Sequence, residues 1–229
     1  MTKKIVEKRK LKVFNLLLVL LVLIGLFFAF YFLIKAPIKN IVIKNTNYLN
    51  DDYIIELADI KDYPSFIMTS SLKMKKKLLK SAYIEDVKIK KRYGFILEID
   101  IVENIPLFYN NNTNKYVLSN GKEINNDELN NSISVPRLLN YVPDKKFEQF
   151  IKGMNRIKKE ILLKTSDIEY KPNDYDKDRF LLYMDDGNMV YLTLTKFKTL
   201  NHYNEVLPQL EGHKGILYLD NGNQFEIKE

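Results

Sequence analysis

The sequence predicts an α+β fold in three parts: an N-terminal transmembrane helix, a small strand–helix–helix–strand–strand domain, and a larger mixed α/β domain. Three observations carry that prediction. Val13–Ile34 is a run of 22 residues whose only strongly polar member is Asn15. "VKIKKRYGFILEIDIVENIP", residues 87–106, alternates apolar and charged side chains on both sides of a break at Arg92-Tyr93-Gly94. That is the pattern of a two-stranded hairpin. Beyond it, strand and helix patterns alternate around Asn-Gly and Asp-Gly turns.

The apolar run, as a helix, is roughly 33 Å long, enough for the hydrocarbon core. A cleaved signal peptide has a shorter apolar core and a small-x-small cleavage site. Here "FFAFYFLIKAPIKN" places bulky residues where a peptidase needs small ones, so the expectation is an uncleaved anchor. Residues 1–12 hold Lys3, Lys4, Lys8, Arg9, Lys10 and Lys12 against Glu7, a local charge of +5. Such a tail stays in the cytoplasm, which predicts a single-pass type II protein with about 195 residues exported. The whole chain carries +7, and residues 13–229 keep 30 bases and 28 acids, net +2. A nearly neutral bulk argues against a phosphate-binding surface, so no nucleic-acid partner is expected. There is no cysteine, hence neither a disulfide framework nor a thiolate metal site.

In the exported part, Ile38–Ile43 reads as a strand. Asn50-Asp51-Asp52 caps a helix carrying Ile54, Ile55, Leu57 and Ala58. "PSFIMT" from Pro64 reads as a short extended piece. Ser70 and Ser71 cap a second helix over 72–82, with Leu72, Met74, Leu78, Leu79 and Ala82 on one face and Lys73, Lys76, Lys77 and Lys80 on the other. In the hairpin, a three-residue loop Arg92-Tyr93-Gly94 pairs Val87 with Ile99 and Ile89 with Leu97, sets Lys88 opposite Glu98, and gives Gly94 the left-handed position. The resulting domain of about 70 residues is near the lower limit for folding alone.

Asn110–Asn114 is a polar break and reads as the seam to the second half. There, "KYVLSNGKEI" is a hairpin. Asp144 precedes a helix with Phe147, Phe150, Ile151, Met154, Ile157 and Ile161 on one face. "FLLYMDDGNMVYLTL" turns at Asp186-Gly187, residues 196–210 form a helix with Phe197, Leu200, Tyr203 and Leu207, and "GILYLDNGNQFEI" turns at Asn221-Gly222.

Catalytic signals are thin. Ser70-Ser71-Leu72-Lys73 matches the S-x-x-K of penicillin-binding enzymes, but no S-D-N follows and Lys164-Thr165-Ser166 only loosely echoes K-T-G. Both serines suit helix caps better. His202 and His213, the only histidines, lack zinc-site spacing. Asp185-Asp186-Gly187 has no calcium-ligand ladder and is first a turn. No catalytic residue, cofactor or metal site is expected.

A basic tail, one span and a strand–helix–helix–strand–strand unit make the layout of a membrane-anchored POTRA domain. With "IKNIVIKNTNYLN", "YIEDVKIKKRYGFILEIDIVENIPLF", "YVLSNGKEI", "SVPRLL" and "KFKTLNHYNEVLPQLEGHKGILYLDNGNQFEI" in that order, the chain resembles the bacterial cell-division family FtsQ/DivIB along nearly its whole length. It keeps Tyr93, Glu103 and Pro106 of the family's hairpin phrase but has Gly94 and Asn104 where the family usually has a proline and a basic residue. The resemblance implies a POTRA domain over 37–106 and a β-domain over 107–229. It also implies a septal, non-enzymatic divisome protein that binds FtsL-like and FtsB/DivIC-like single-span proteins, with septal peptidoglycan synthases as further partners. Carried over by position, the partner site falls on Leu217, Tyr218, Leu219, Asn221, Phe225 and Ile227. Physically, a last strand with nothing after it exposes backbone groups that a partner strand can pair. The competing readings are a POTRA-type envelope transport component and an anchored extracytoplasmic sensor.

Overall fold

The structure, a computed structural model, describes residues 13–125 and 133–228; the basic tail expected at 1–12 lies outside the described residues. Val13–Lys35 forms one helix, α1, long and apolar enough to cross a membrane and with none of its span buried against the rest of the protein. Next come β1 (Asn40–Lys44), α2 (Asp51–Leu57), α3 (Ser71–Leu78), β2 (Ile84–Arg92) and β3 (Ile96–Glu103). This is the strand–helix–helix–strand–strand order expected from sequence. The three strands form a sheet in the order β1-β3-β2, with β1 parallel to β3 and β2 antiparallel to it.

Both helix starts are capped as their sequences predict. Asn50 accepts the Asp52 N–H at 3.0 Å, and Ser70 accepts the Lys73 N–H at 3.4 Å. Ile54, Ala58, Met74 and Leu78 cover the sheet residues Val87, Leu97, Ile99 and Ile101. Helix α3 is shorter than expected. It ends at Leu78, and the tighter bonds Lys80 N–H to Lys77 O and Ser81 N–H to Leu78 O close the chain into a turn. Leu72, in the first turn, is on the solvent side rather than the apolar face, 75% exposed. "PSFIMT" is not an extended piece: only Ser65 bridges to Pro37, and the chain then turns through Phe66–Thr69.

The hairpin register also needs correction. The loop is Tyr93-Gly94-Phe95, with Arg92 opposite Ile96, so Val87 pairs with Ile101, Ile89 with Ile99 and Lys88 with Asp100. Gly94 is left-handed as expected (φ 84°), and so is Phe95 (φ 63°). Phe95 takes that conformation where its ring meets Phe66 edge-on, 5.5 Å between centroids. A two-residue shift leaves every side chain on its expected face.

The second sheet is built from β4 (Pro106–Asn110), β5 (Lys115–Leu118), β6 (Glu123–Ile124), β7 (Arg137–Leu138), β8 (Thr165–Tyr170), β9 (Arg179–Met184), β10 (Met189–Thr193), β11 (Gly215–Tyr218) and β12 (Gln224–Ile227). Their spatial order is β12-β11-β10-β9-β8-β7-β4-β5-β6. Asn110–Asn114 is therefore no seam; it is the turn of the β4–β5 hairpin, closed by Asn114 N–H to Asn110 O at 2.8 Å. The two sheets meet at Asn104. Its side chain donates to Ala82 O at 2.9 Å and accepts from Ser119 Oγ at 3.3 Å, while Leu118 and Ile124 join the first core.

Helix α4 (Asp144–Met154) starts with Asp144 inside its first turn and ends at Asn155, so Ile157 and Ile161 leave the single helix expected for them. They remain buried, Ile161 on the short helix α5 (Lys159–Leu162). Phe150 stacks on Phe180 at 4.8 Å and meets Phe197 edge-on at 5.8 Å, the aromatic centre of this core. Residues 194–210 are not one α-helix. A 3-10 helix (Leu194–His202), a single α turn α6 (Tyr203–Val206) and a second 3-10 stretch (Leu207–Leu210) follow each other. Phe197, Leu200 and Tyr203 recur every third residue, which lines them up on one face of a 3-10 helix, and all three are buried.

Candidate functional site

Among the described residues, β12 pairs on one side with β11 and has no strand on the other. Its ladder pairs Gly215 with Ile227, Ile216 with Glu226, Leu217 with Phe225 and Tyr218 with Gln224. Just beyond it, Lys228 N–H donates to Lys214 O at 2.9 Å. Antiparallel ladders alternate bonded and non-bonded pairs. Glu226 and Gln224 therefore turn their backbone groups inward, and Phe225 and Ile227 turn theirs to the open side.

Three devices hold this edge in place. Gly215 sits where a Cβ would overlap the Glu226 carbonyl and come within 2.9 Å of the Phe225 ring, so only glycine lets β12 approach this closely. Asn188, buried, accepts the Gly215 N–H at 3.0 Å and donates to Tyr203 Oη at 3.0 Å. Tyr203 Oη in turn donates to Asp186 at 2.8 Å. Burial first, and the hydrogen bond to Asp186 second, hold the Tyr203 hydroxyl well above the ordinary tyrosine range. Asp186-Gly187 thus serves as turn and anchor together. No group of three or more metal-ligating side chains occurs among the described residues.

On the outer face beside the edge lies an open groove of about 630 Å³ lined by Asn173, Tyr175, Arg179, Tyr218, Asp220 and Glu226, among others. Arg179 lies 3.5 Å from the Tyr191 ring centre, and its Nε donates to Asp220 Oδ2 at 2.6 Å. Tyr191 and Tyr218 stack at 5.4 Å, and Tyr218 Oη donates to Glu226 at 2.7 Å. That bond, more than burial, raises the Tyr218 pKa. The Arg179–Asp220 pair is largely desolvated (side chains 15% and 7% exposed), and Asp220 Oδ1 has no hydrogen-bond partner among the described residues. Losing one member of such a pair costs about 3–5 kcal/mol.

The six residues picked from sequence divide by position. Tyr218 lines the groove and Asn221 lies in its rim turn. Ile227 is exposed on the edge strand, and Phe225 is half-buried against the core. Leu217 and Leu219 are core residues that support the edge from behind; Leu219 begins the turn, its N–H donating to Tyr191 O at 2.9 Å. Sequence reading missed Arg179, because a charge at the start of a strand looks like solvated surface, and missed Tyr191, whose stacking on Tyr218 appears only once the sheet is assembled.

The profile of the cell division protein FtsQ/DivIB C-terminal domain matches residues 107–221, and that of the FtsQ-type POTRA domain matches residues 36–104. The chain belongs to the FtsQ/DivIB family. Among relatives, it is 28% identical to the cell division protein DivIB of Bacillus anthracis over 222 residues, covering 92% of this chain and 82% of that one. It is also 28% identical to DivIB of Bacillus subtilis, covering 97% and 88% respectively. The solved extracytoplasmic domain of DivIB from Geobacillus stearothermophilus is 24% identical. The match covers 48% of this chain and 96% of that domain, with a TM-score of 0.39. The FtsQ/DivIB match ends at Asn221, so β12 lies just past the matched residues.

Proposed function

We propose that this FtsQ/DivIB-family protein is a non-enzymatic component of the division machinery. It is held by α1 with its N-terminus in the cytoplasm and is enriched at the septum. It binds FtsL-like and FtsB/DivIC-like single-span proteins and so helps assemble and regulate septal peptidoglycan synthesis. The POTRA-type domain over 37–106 stands next to the membrane, and the β-domain over 107–229 carries the partner site. The observation that carries the reading is the open side of β12, where Phe225 and Ile227 offer outward backbone groups at the end of a nine-stranded sheet. A partner segment adding there as a tenth strand gains affinity from the backbone and specificity from the Tyr218 and Arg179 groove beside it. A binding role also accords with Ser70, whose hydroxyl is engaged as a helix cap.

Site-specific photo-crosslinking tests this. A photoreactive residue at Ile227 yields adducts with the FtsL-like or DivIC-like protein, and one at Glu123, on the opposite sheet edge, yields none. Adducts at Glu123 alone would move the site to the other end of the sheet.

A further inference from the structure

The end of the first domain nearest α1 is built from two turns. Ser65 Oγ donates to the carbonyl of Ile34 in the last turn of α1, and Phe66 N–H donates to Ala36 O at 2.9 Å. Lys39 N–H donates to Phe95 O at 2.9 Å. These bonds place the 65–69 turn and the 93–95 hairpin turn level with the residues that leave the helix. The Phe66–Phe95 contact ties the two turns to each other.

The headgroup layer is roughly 5–7 Å thick on each side of the hydrocarbon. A turn hydrogen-bonded to Ile34 and Ala36 cannot stand clear of it if α1 spans the bilayer. What these turns present is apolar and aromatic: Met68 is 73% exposed and Tyr93 fully exposed, with Ile67 beside Met68. Around them stand Lys35, Lys39 and Arg92, all exposed, against Asp62 and the Arg92-bound Glu98. The Lys91 ammonium donates to the carbonyls of Phe66 and Ile67 and fixes the 65–69 turn from behind. Met68 N–H donates to Ser65 Oγ at 3.2 Å, and Thr69 N–H to Ser65 O at 3.0 Å. The apolar tip is held rigidly rather than left to fold back on the domain.

We propose that the Ile67–Met68 turn and Tyr93 form a second membrane contact that enters the leaflet at the Lys35 end of α1, with the surrounding cations on lipid phosphates. Tyrosine and basic side chains are the residues that favour this layer. The inference rests on α1 being a membrane anchor. The contact fixes the tilt of the first domain, and with it the direction in which the sheet edge at β12 is offered to neighbouring anchored proteins.

The chain contains no tryptophan, so single-tryptophan variants of the full chain report depth without background. Four are compared in phosphatidylcholine–phosphatidylglycerol vesicles carrying brominated acyl chains: Met68→Trp, Tyr93→Trp, Leu23→Trp in the middle of α1, and Val102→Trp. Val102 is exposed on β3, about 20 Å farther from the membrane end at the rise of a strand. With bromines near the headgroup, emission falls about twofold or more in both Met68→Trp and Tyr93→Trp and stays unchanged in Val102→Trp. With bromines deep in the chain, Leu23→Trp is quenched. Quenching of Leu23→Trp with either Met68→Trp or Tyr93→Trp left at the Val102→Trp level overturns the second contact alone. An unquenched Leu23→Trp overturns the anchor and the contact with it.

Discussion

Asn188 Oδ1 accepts the backbone N–H of Gly215 at 3.0 Å, so a buried side chain in the β9–β10 turn sets where β11 begins. The same side chain bonds Tyr203, and Tyr203 bonds Asp186. The start of β11, and with it the β12 edge, is thus tied to a chain of polar side chains that reaches into the core.

Asn188→Ala leaves the Gly215 N–H buried and unpaired. Such a loss costs about 1–3 kcal/mol. A fall of that size in the urea unfolding free energy is expected, together with faster amide exchange over Gly215–Tyr218 than over β8–β9. Uniform loss of protection across the whole sheet would mean that Asn188 supports the core generally and not this edge.

Glu103 ends β3 and takes three backbone donors. The N–H groups of Asn47, Tyr48 and Leu49 reach its carboxylate at 2.9, 3.1 and 2.8 Å. The carboxylate thus orders the chain entering α2. Glu103→Ala strands these amides, and hydrogen bonds to a charged group contribute about 1.5–3 kcal/mol each at most. The expected result is a loss of several kcal/mol confined to the first domain, read as early proteolysis within 45–60 while the second domain stays protected. Equal protection of both domains in the variant would contradict it.

Much of this was legible in the sequence. Alternation in 87–106 and the Asn-Gly and Asp-Gly turns gave strands, faces and order, because those signals are local. The helix over 196–210 was misread because residues spaced by three fit a 3-10 face as well as an α face. The hairpin register slipped by two because Phe95 is held by Phe66, nearly thirty residues away in the chain. The Arg179–Asp220 pair was invisible for the same reason: 41 residues separate partners that meet only once the sheet is assembled. Sequence pattern located the edge, and tertiary contacts furnished its groove.

Tyrosine ionisation predicts alkaline instability. Burial, then the bond to Glu169, pushes the Tyr183 pKa up to about 12, and Tyr203 is raised further. Between the ordinary value near 10 and these folded values, the unfolded chain has released protons that the folded chain keeps. Stability is therefore full below about pH 10 and falls as pH rises through this window. Urea midpoints measured at steps from about pH 9 to about pH 11.5 should decline, and Tyr203→Phe should flatten the slope while lowering stability at neutral pH. A midpoint independent of pH would contradict the buried hydroxyl network.

Strand addition at β12 would act through the backbone, so removing a single outward N–H tests it. Phe225 and Ile227 turn their N–H groups away from β11, so proline at either position removes an outward donor and leaves the β11–β12 ladder in place. Alanine at the same positions removes the side chain and keeps the donor. The measurement is capture of the FtsL-like and DivIC-like pair from detergent extracts by the full chain carrying Ile227→Pro or Ile227→Ala, with circular dichroism confirming the fold. Strand addition predicts that proline lowers capture by about tenfold or more relative to alanine, the effect of one lost backbone bond and a distorted neighbour. Equal capture by the two folded variants would contradict it.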